Sequence, residues 1–269
     1  MKIISSKKKL LKLIHNQRDL GFVPTMGGIH KGHISLIKKS IKDCRNTVVS
    51  IFVNKPQFNQ KSDFKKYPKQ KNSDIIKLKK LKINYLYSPS SREIYPLGPN
   101  KNIRISSFKK KLCGKKRPGH FEAVVDVIDR FVKIINPKRI YFGEKDFQQL
   151  KIIKHYLNKK YPKIIVVECK TIREKNGLPC STRNYLLSIN EKKIGGKIFN
   201  FLRLNKKKII DKKYSLKKLE KNIYHLGAKK IDYIKLININ KILRPYKKKS
   251  KYKIFIAYYL GSTRLIDNI

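Results

Sequence analysis

The sequence predicts an α/β protein, with a Rossmann-like doubly wound parallel sheet followed by a smaller C-terminal α+β domain. Through the first 171 residues, short apolar runs of strand length alternate with amphipathic segments of helical spacing. From about residue 172 this alternation ends, and two helical stretches precede two strand-like segments. We therefore place a Rossmann-like domain at residues 1–171 and an α+β, lid-like domain at residues 172–269.

The predicted elements follow one another along the chain. An amphipathic helix within residues 5–19 leads to a strand at Leu20–Val23, which we expect Pro24 to end because proline cannot donate to a sheet ladder. Further strands are expected at 47–53, 85–87, 139–142, 164–167, 231–239 and 253–260. Helices are expected near His33, Asp74, His120 and Phe147, and residues 59–71 are expected to form a surface loop.

The chain is strongly basic. Its 67 Lys and Arg residues against 17 Asp and Glu give a formal net charge of +50, a field that favours polyanionic partners. The basic runs are dispersed, however, and lack the interleaved aromatic residues of a single-strand binding face. Since the chain has no Trp and is rich in Lys, Ile and Asn, we attribute the charge to compositional bias and expect no specific nucleic-acid partner.

The cysteines and the apolar runs indicate in which cellular compartment the protein is expected. Cys44, Cys113, Cys169 and Cys180 form no CxxC pair, which predicts free thiols and no zinc site. The longest apolar run, Ile254–Leu260, is far shorter than the ~20 residues of a membrane helix. We expect a cytoplasmic protein without a membrane partner.

The stretch Gly21–His33, GFVPTMGGIHKGH, is the strongest candidate for a binding site. A strand turns through glycines into a helix, whose first N–H groups and positive dipole end favour a phosphate. His30 and His33 could present both rings to one anion, or could merely cap the turn. The stretch matches neither GxGxxG nor GxxxxGK[ST].

Other polar groups follow predicted strands or precede predicted helices, where open α/β sheets bind ligands. Asn54 and Gln57 could bind a small hydroxy acid or bond their own backbone. Gly143–Asp146 brings Lys145 to a second strand-glycine-helix turn. Further candidates are Arg117, His120, Ser181, Thr182 and Arg183, where hydroxyls beside an arginine suggest a phosphate grip and His120 could instead be packing.

Several of these strings resemble a known family. HKGH resembles the HxGH signature of the nucleotidyltransferase superfamily, and the longer PTMGGIHKGH is similar to the pantothenate synthetase family. YFGEKDFQQL matches that family with only Phe147 in place of Tyr, and SIFVNKPQF, RPGHF and the ending GSTRLIDN resemble it more loosely. The differences from the family pattern include Lys55-Pro56, Lys69-Gln70, Ala123, Asp126, Pro179, Cys180 and Thr182.

The resemblance implies a function: ATP-dependent condensation of pantoate with β-alanine through a pantoyl adenylate, with Mg²⁺ and usually in a homodimer. It implies charge neutralisation on the phosphates by His30, His33, Lys145 and Arg183. It assigns ATP binding to Met26, Gly27, Gly28, Ile29, His30, Lys31, Gly32, His33, Gly143, Glu144, Lys145, Asp146, Ile172, Cys180, Ser181, Thr182 and Arg183. It assigns pantoate and β-alanine to Asn54, Gln57, Arg117, His120 and Gln149.

Asp74 and the overall function each have a second interpretation. Asp74 is first an acidic residue that complements a helix dipole, and only secondarily a magnesium ligand. The whole chain could instead be a different HxGH adenylyltransferase, or a basic RNA-binding protein that has lost catalysis.

Overall fold

A six-stranded parallel sheet forms the larger part of the protein. The computed structural model describes residues 1–243, 246 and 248–269. The strands are β1 (Lys2–Ile4), β2 (Leu20–Thr25), β3 (Asn46–Ile51), β4 (Tyr85–Tyr87), β5 (Arg139–Gly143) and β6 (Ile165–Cys169). Their order is β1-β4-β3-β2-β5-β6, so the chain runs outward from β2 in both directions. The sheet therefore has its topological switch point between β2 and β5, where such sheets bind ligands.

Helices cover the sheet on both faces. They are α1 (Lys7–Ile14), α2 (Lys31–Asp43), α3 (Lys61–Lys66), α4 (Lys71–Lys80), α5 (Ser91–Ile94), α6 (Leu112–Lys116), α7 (His120–Ile135), α8 (Phe147–Lys160), α9 (Ile189–Ile210) and α10 (Leu216–His225). The helix α7 buries most of its residues against the sheet, including Phe131, whose ring contacts Phe22 and Phe52. This apolar packing fixes the strand ends that surround the crevice.

The C-terminal region is a three-stranded antiparallel sheet with two helices. Its strands are β7 (Lys230–Asn238), β8 (Tyr252–Leu260) and β9 (Thr263–Asn268), in that order. Leu202 of α9 and Ile223 of α10 pack with Leu260 in a separate apolar cluster. Phe255 of β8 joins the core of the larger sheet instead. The predicted fold class is thus confirmed, while a boundary between residues 171 and 172 stays a prediction.

Several expected boundaries are wrong. Pro24 lies inside β2, and its missing N–H is tolerated because pairing with β5 is confined to Gly21 and Phe22. The helix expected near His33, by contrast, is present as α2 and begins at Lys31. Residues 59–71 contain α3, and Tyr67 is buried rather than part of a surface loop. The short β1 and the last strand, β9, were not expected.

Within the described residues, no helix combines the length and apolar character needed to cross a bilayer.

Candidate active site

A cavity of about 750 Å³ opens at the carboxyl ends of the central strands. Its wall includes residues from the turn after β2, the turn after β5, the start of α7 and the segment 178–184. The strand β9, Thr263–Asn268, completes the wall. The cavity is therefore bounded by both sheets, with the larger one supplying the two strand-to-helix turns.

The glycine turn after β2 is held from two sides. Gly27 and Gly28 have φ angles of +81° and +62°, which favour glycine. The Asp74 carboxylate accepts hydrogen bonds from the backbone amides of Gly28 at 2.8 Å and Ile29 at 2.7 Å. On the other side, the Thr182 hydroxyl donates to the Gly28 carbonyl at 3.2 Å, and a Cβ on Gly28 would collide with the Thr182 methyl group. Asp74 and Thr182 thereby fix the turn in front of α2.

His30 and His33 stack at the start of α2, with ring centroids 4.0 Å apart and planes 28° apart. Nδ1 of His30 accepts from the Gly32 amide at 3.1 Å, so the proton of the neutral ring lies on Nε2. Burial, with the charge of Lys145 nearby, lowers the pKa of His30 to about 2 and that of His33 to about 4. Both rings are neutral near pH 7, so they can donate hydrogen bonds without bringing charge.

The lysine expected at the second turn faces the same cavity. Lys145 lies between β5 and α8 and is half-buried, with Nζ 3.5 Å from Asp146 Oδ1. Its positive charge contributes to lowering the pKa of both histidines, which places all three groups in one electrostatic environment. Lys145 therefore supplies the positive charge that the imidazoles lack.

The segment 178–184 forms the wall opposite the glycine turn. Ser181 accepts from the Arg183 amide at 3.2 Å, and the Arg183 guanidinium contacts both carboxylate oxygens of Asp63, at 3.0 and 2.8 Å. Cys180 is buried, and burial raises the pKa of its thiol. Arg183 is thus in the cavity wall, paired with a carboxylate of α3.

The predicted substrate side is built around Gln57. Asn54 is 1% exposed, donates to the side-chain oxygen of Gln57 at 3.1 Å and accepts from the Tyr95 hydroxyl at 2.7 Å. His120 donates through Nδ1 to the main-chain carbonyl of Gln57 at 2.8 Å, and its Nε2 accepts from Arg117 Nη1 at 3.0 Å. Burial and Arg117 together lower the pKa of His120 to about 3, so this ring is also neutral.

These contacts separate two groups of polar side chains. The polar side-chain atoms of Asn54 and His120 are hydrogen-bonded to other protein groups, so these residues shape the wall and orient Gln57. Gln149 also lines the cavity, and its side chain makes no hydrogen bond to any described residue. The Gln149 amide and the amide nitrogen of Gln57 are therefore the groups most available to a ligand on this side.

The cavity brings together most of the residues that the sequence singled out. Those in its wall are Met26, His30, Gly32, His33, Asn54, Gln57, Arg117, His120, Gly143, Lys145, Asp146, Gln149, Ile172, Cys180, Ser181, Thr182 and Arg183. Gly27, Gly28 and Ile29 are buried behind the wall, Lys31 is exposed, and Glu144 is half-buried outside it.

Sequence reasoning missed three residues that shape the site. Tyr67 is buried in the cavity wall, and burial raises its pKa. Asp63 pairs with Arg183, and Lys77 donates to the Ile29 carbonyl at 2.8 Å. The Tyr67-Pro68 pair was a usable signal for the first of these, whereas nothing in the sequence near Asp63 or Lys77 indicates their distant partners.

The Asp74 carboxylate is engaged with the glycine turn. Both of its carboxylate oxygens accept amide hydrogen bonds, and its side chain lies behind the cavity wall. In the part of the chain that is described, no three His, Cys, Asp or Glu side chains are grouped so as to hold a metal ion. The magnesium assignment for Asp74 stays a prediction that no contact supports.

Together the fold and the cavity define an α/β nucleotide-binding enzyme of the HxGH nucleotidyltransferase type. A family model described as pantoate-beta-alanine ligase matches residues 2–269. The chain belongs to the pantoate–β-alanine ligase family.

Individual relatives agree over the full length. The pantothenate synthetase of Caldicellulosiruptor saccharolyticus is 38% identical over 272 residues, covering 100% of this chain and 97% of the relative. A Francisella tularensis pantoate-beta-alanine ligase, crystallised with beta-gamma ATP and beta-alanine, superposes with a TM-score of 0.86 at 36% identity, covering 100% and 97% of the two chains. The pantothenate synthetase of Thermus thermophilus gives a TM-score of 0.90 at 29% identity, covering 100% and 99%.

Proposed function

We propose that this protein condenses pantoate with β-alanine, using ATP and releasing AMP and pyrophosphate through a pantoyl-adenylate intermediate. One observation carries the proposal beyond family membership. The stacked His30 and His33, Lys145 and Arg183 come from three distant parts of the sequence and line one cavity.

In the first step, a pantoate carboxylate oxygen attacks the α-phosphorus of ATP and pyrophosphate leaves with the electrons of the broken P–O bond. The step needs compensation of the charge that develops on the phosphate oxygens, and preorganised donors do this well in a water-poor site. Lys145 and Arg183 supply positive charge, and the neutral rings of His30 and His33 supply N–H donors.

We propose that Arg183 changes partner during this step. It contacts Asp63 through both carboxylate oxygens, and the side chains are 28% and 35% exposed. An ion pair at this exposure contributes little to stability, so phosphate can displace the carboxylate. We propose that Asp63 holds Arg183 in place until the nucleotide arrives.

In the second step, the β-alanine amine attacks the acyl carbon of pantoyl adenylate and AMP leaves with the former carboxylate oxygen. Neither step requires a nucleophilic side chain, so the rate depends on how the substrates are positioned relative to one another. We assign this positioning to the side-chain amides of Gln57 and Gln149, with Asn54, Arg117 and His120 holding the Gln57 loop.

Mg²⁺ enters this scheme as part of the substrate, bound to the phosphates of ATP. The carboxylate that we assign to it is Asp146, which lines the cavity and has a side chain 47% exposed. Such an ion keeps several waters and uses few protein ligands, so one accessible carboxylate beside Lys145 is enough to contact it.

We propose that residues 172–269 act as a lid, with the segment around Cys180–Asn184 excluding water from the acyl adenylate. The resemblance also favours a homodimer in the cytoplasm. Light scattering on a size-exclusion column would show a mass near twice 31.7 kDa if the dimer forms.

The experiment that tests the proposed function is an assay of AMP release from ATP and pantoate, with and without β-alanine. We expect pantoate-dependent pyrophosphate exchange in both cases, and sustained AMP release only when β-alanine is present. Nucleotide transfer that ignores β-alanine would indicate a different adenylyltransferase. Tight, salt-resistant RNA binding without AMP formation would indicate a protein that has lost catalysis.

A further inference from the structure

The end of the chain makes direct contact with the turn that carries Lys145. Asn268, the last residue of β9, is 4% exposed. Its amide nitrogen donates to two successive main-chain carbonyls, Glu144 at 2.8 Å and Lys145 at 3.0 Å. One side chain therefore satisfies two acceptors of the short turn between β5 and α8.

The orientation of this amide is fixed by its other partner. Lys253 Nζ donates to Asn268 Oδ1 at 2.8 Å, so the oxygen faces the ammonium group and the nitrogen faces the turn. A flipped amide would place its NH₂ against the ammonium group and its oxygen against two carbonyls. Only the observed orientation of the amide gives hydrogen bonds to the ammonium group and to both carbonyls at once.

The neighbouring residue connects the same strand to the opposite wall. The Asp267 carboxylate accepts a bidentate pair of hydrogen bonds from the Arg173 guanidinium, at 2.7 and 2.9 Å. Arg173 also pairs through its backbone with Pro179, directly before Cys180–Arg183. The last residues of β9 therefore hold both the Lys145 turn and the base of the 178–184 segment.

We propose that Asn268 is a positioning residue for Lys145: its two hydrogen bonds fix the peptide planes on either side of Lys145 and so the direction of the ammonium group. The proposal rests on the proposed function, in which Lys145 contacts the phosphates of ATP. A displacement of about 1 Å at such a group can cost on the order of 10²-fold in rate. Asn268 belongs to the cavity wall, but its side-chain oxygen and nitrogen both bond to protein partners, so it acts only through Lys145.

The test uses the full-length protein with Asn268→Asp, which keeps the shape of the side chain and removes both donors. Asn268→Ser, shorter and still polar, is the second variant if the first folds poorly. Asn222→Asp is the matched control, because Asn222 also donates to two acceptors, Tyr214 and the Lys218 carbonyl, but on α10 away from the cavity.

Hydrogen exchange decides whether the contact holds the turn, independently of activity. We expect faster amide exchange in the peptide covering residues 143–150 for Asn268→Asp, and no change there for Asn222→Asp. Unchanged exchange in this peptide would overturn the proposal even if the enzyme were fully active.

Kinetics decide whether Asn268 acts through Lys145. Asn268→Asp should lower kcat for pantoate-dependent pyrophosphate exchange about 10- to 100-fold while changing the KM for β-alanine less than about twofold. In a Lys145→Ala background, Asn268→Asp should lower kcat by less than a further factor of about two. The reason is that the effects of residues that act as a unit are not additive. Equal costs in both backgrounds would reduce Asn268 to a structural residue and overturn the proposal. A wild-type protein without any pantoate-dependent exchange would instead refute the proposed function.

Discussion

His30 and His33 stack with their ring centroids 4.0 Å apart, directly at the first turn of α2. Two protonated imidazoles at this separation would repel each other, and burial already disfavours the charged forms. The pair is therefore a neutral hydrogen-bonding surface in front of a helix N-terminus. In the proposed mechanism we therefore assign N–H donation to the two rings, and positive charge to Lys145 and Arg183.

The neutral histidines predict how stability depends on pH. An unfolded imidazole has a pKa of about 6.5, whereas those of His33 and His120 in the fold are about 4 and about 3. Below pH 6.5 these imidazoles bind protons in the unfolded chain but stay neutral in the folded chain. The free energy of unfolding therefore falls as the pH drops from about 6.5 towards 4. Each such group contributes a slope of at most about 1.4 kcal/mol per pH unit.

Urea unfolding between pH 7.5 and 4.5 measures this slope. We expect His33→Asn to have a shallower decline below pH 6.5 than the wild type, and the exposed control His155→Asn to follow the wild type. A His33→Asn variant with the full wild-type slope would show that the buried ring accepts a proton in the folded state.

Lys145 and His33 should matter for chemistry more than for folding. Lys145→Ala or His33→Ala is expected to cut adenylate formation at least ~10²-fold, because each removes a preorganised group facing the phosphates. ATP–pyrophosphate exchange measures the step, and thermal unfolding confirms that the variants fold. Lys159→Ala, an exposed lysine at the end of α8, is the control. Near-normal exchange in either variant would count against the mechanism.

Asp74 should act on nucleotide binding through the glycine turn. Asp74→Asn keeps the size of the side chain but replaces one carboxylate oxygen with an NH₂ group, which cannot accept a hydrogen bond. The backbone amide of Gly28 or of Ile29 then loses its partner. A hydrogen bond to a charged group is worth about 1.5–3 kcal/mol, so we expect the KM for ATP to rise by about tenfold or more, together with a lower unfolding midpoint. The exposed Asp211→Asn is the control. A KM for ATP equal to that of the control would show that the turn does not need Asp74.

Asp63 should oppose nucleotide binding. Its carboxylate holds Arg183 and lies in the same cavity wall, so Asp63→Asn releases the guanidinium and removes a negative charge facing the phosphates. Since both side chains are partly exposed, the pair is worth about 1 kcal/mol at most, and we expect the KM for ATP to fall by about two- to fivefold. A KM for ATP equal to or above that of the wild type would show that Asp63 does not compete with the phosphates for Arg183.

The sequence was sufficient to place the main chemical groups. His30, His33 and Lys145 each follow a parallel strand, and because such strands end at one edge of a sheet, their convergence could be expected from the sequence. The hydroxyl and arginine at Thr182 and Arg183 were recognised from local composition and resemblance. These are features in which a short stretch carries both the structure and the chemistry.

The supporting contacts could not be predicted. The carboxylate of Asp74 reaches the amides of Gly28 and Ile29 from 46 and 45 positions away. Asn268 reaches Lys145 from 123 positions away, and Arg183 reaches Asp63 from 120. No local period or turn signal encodes such pairs, since they depend on how separate elements pack. Pro24 shows the same limit, because a proline in a strand is tolerated only where the neighbouring ladder has already ended.

Transfer of oxygen from pantoate to AMP tests the central claim most directly. Pantoate labelled with ¹⁸O in its carboxylate is incubated with the enzyme, ATP and β-alanine, and AMP is analysed by mass spectrometry. Attack of the carboxylate on the α-phosphorus, followed by displacement at the acyl carbon, predicts one ¹⁸O atom in each AMP formed. AMP without the label, from a reaction that still yields pantothenate, would contradict an acyl-adenylate intermediate.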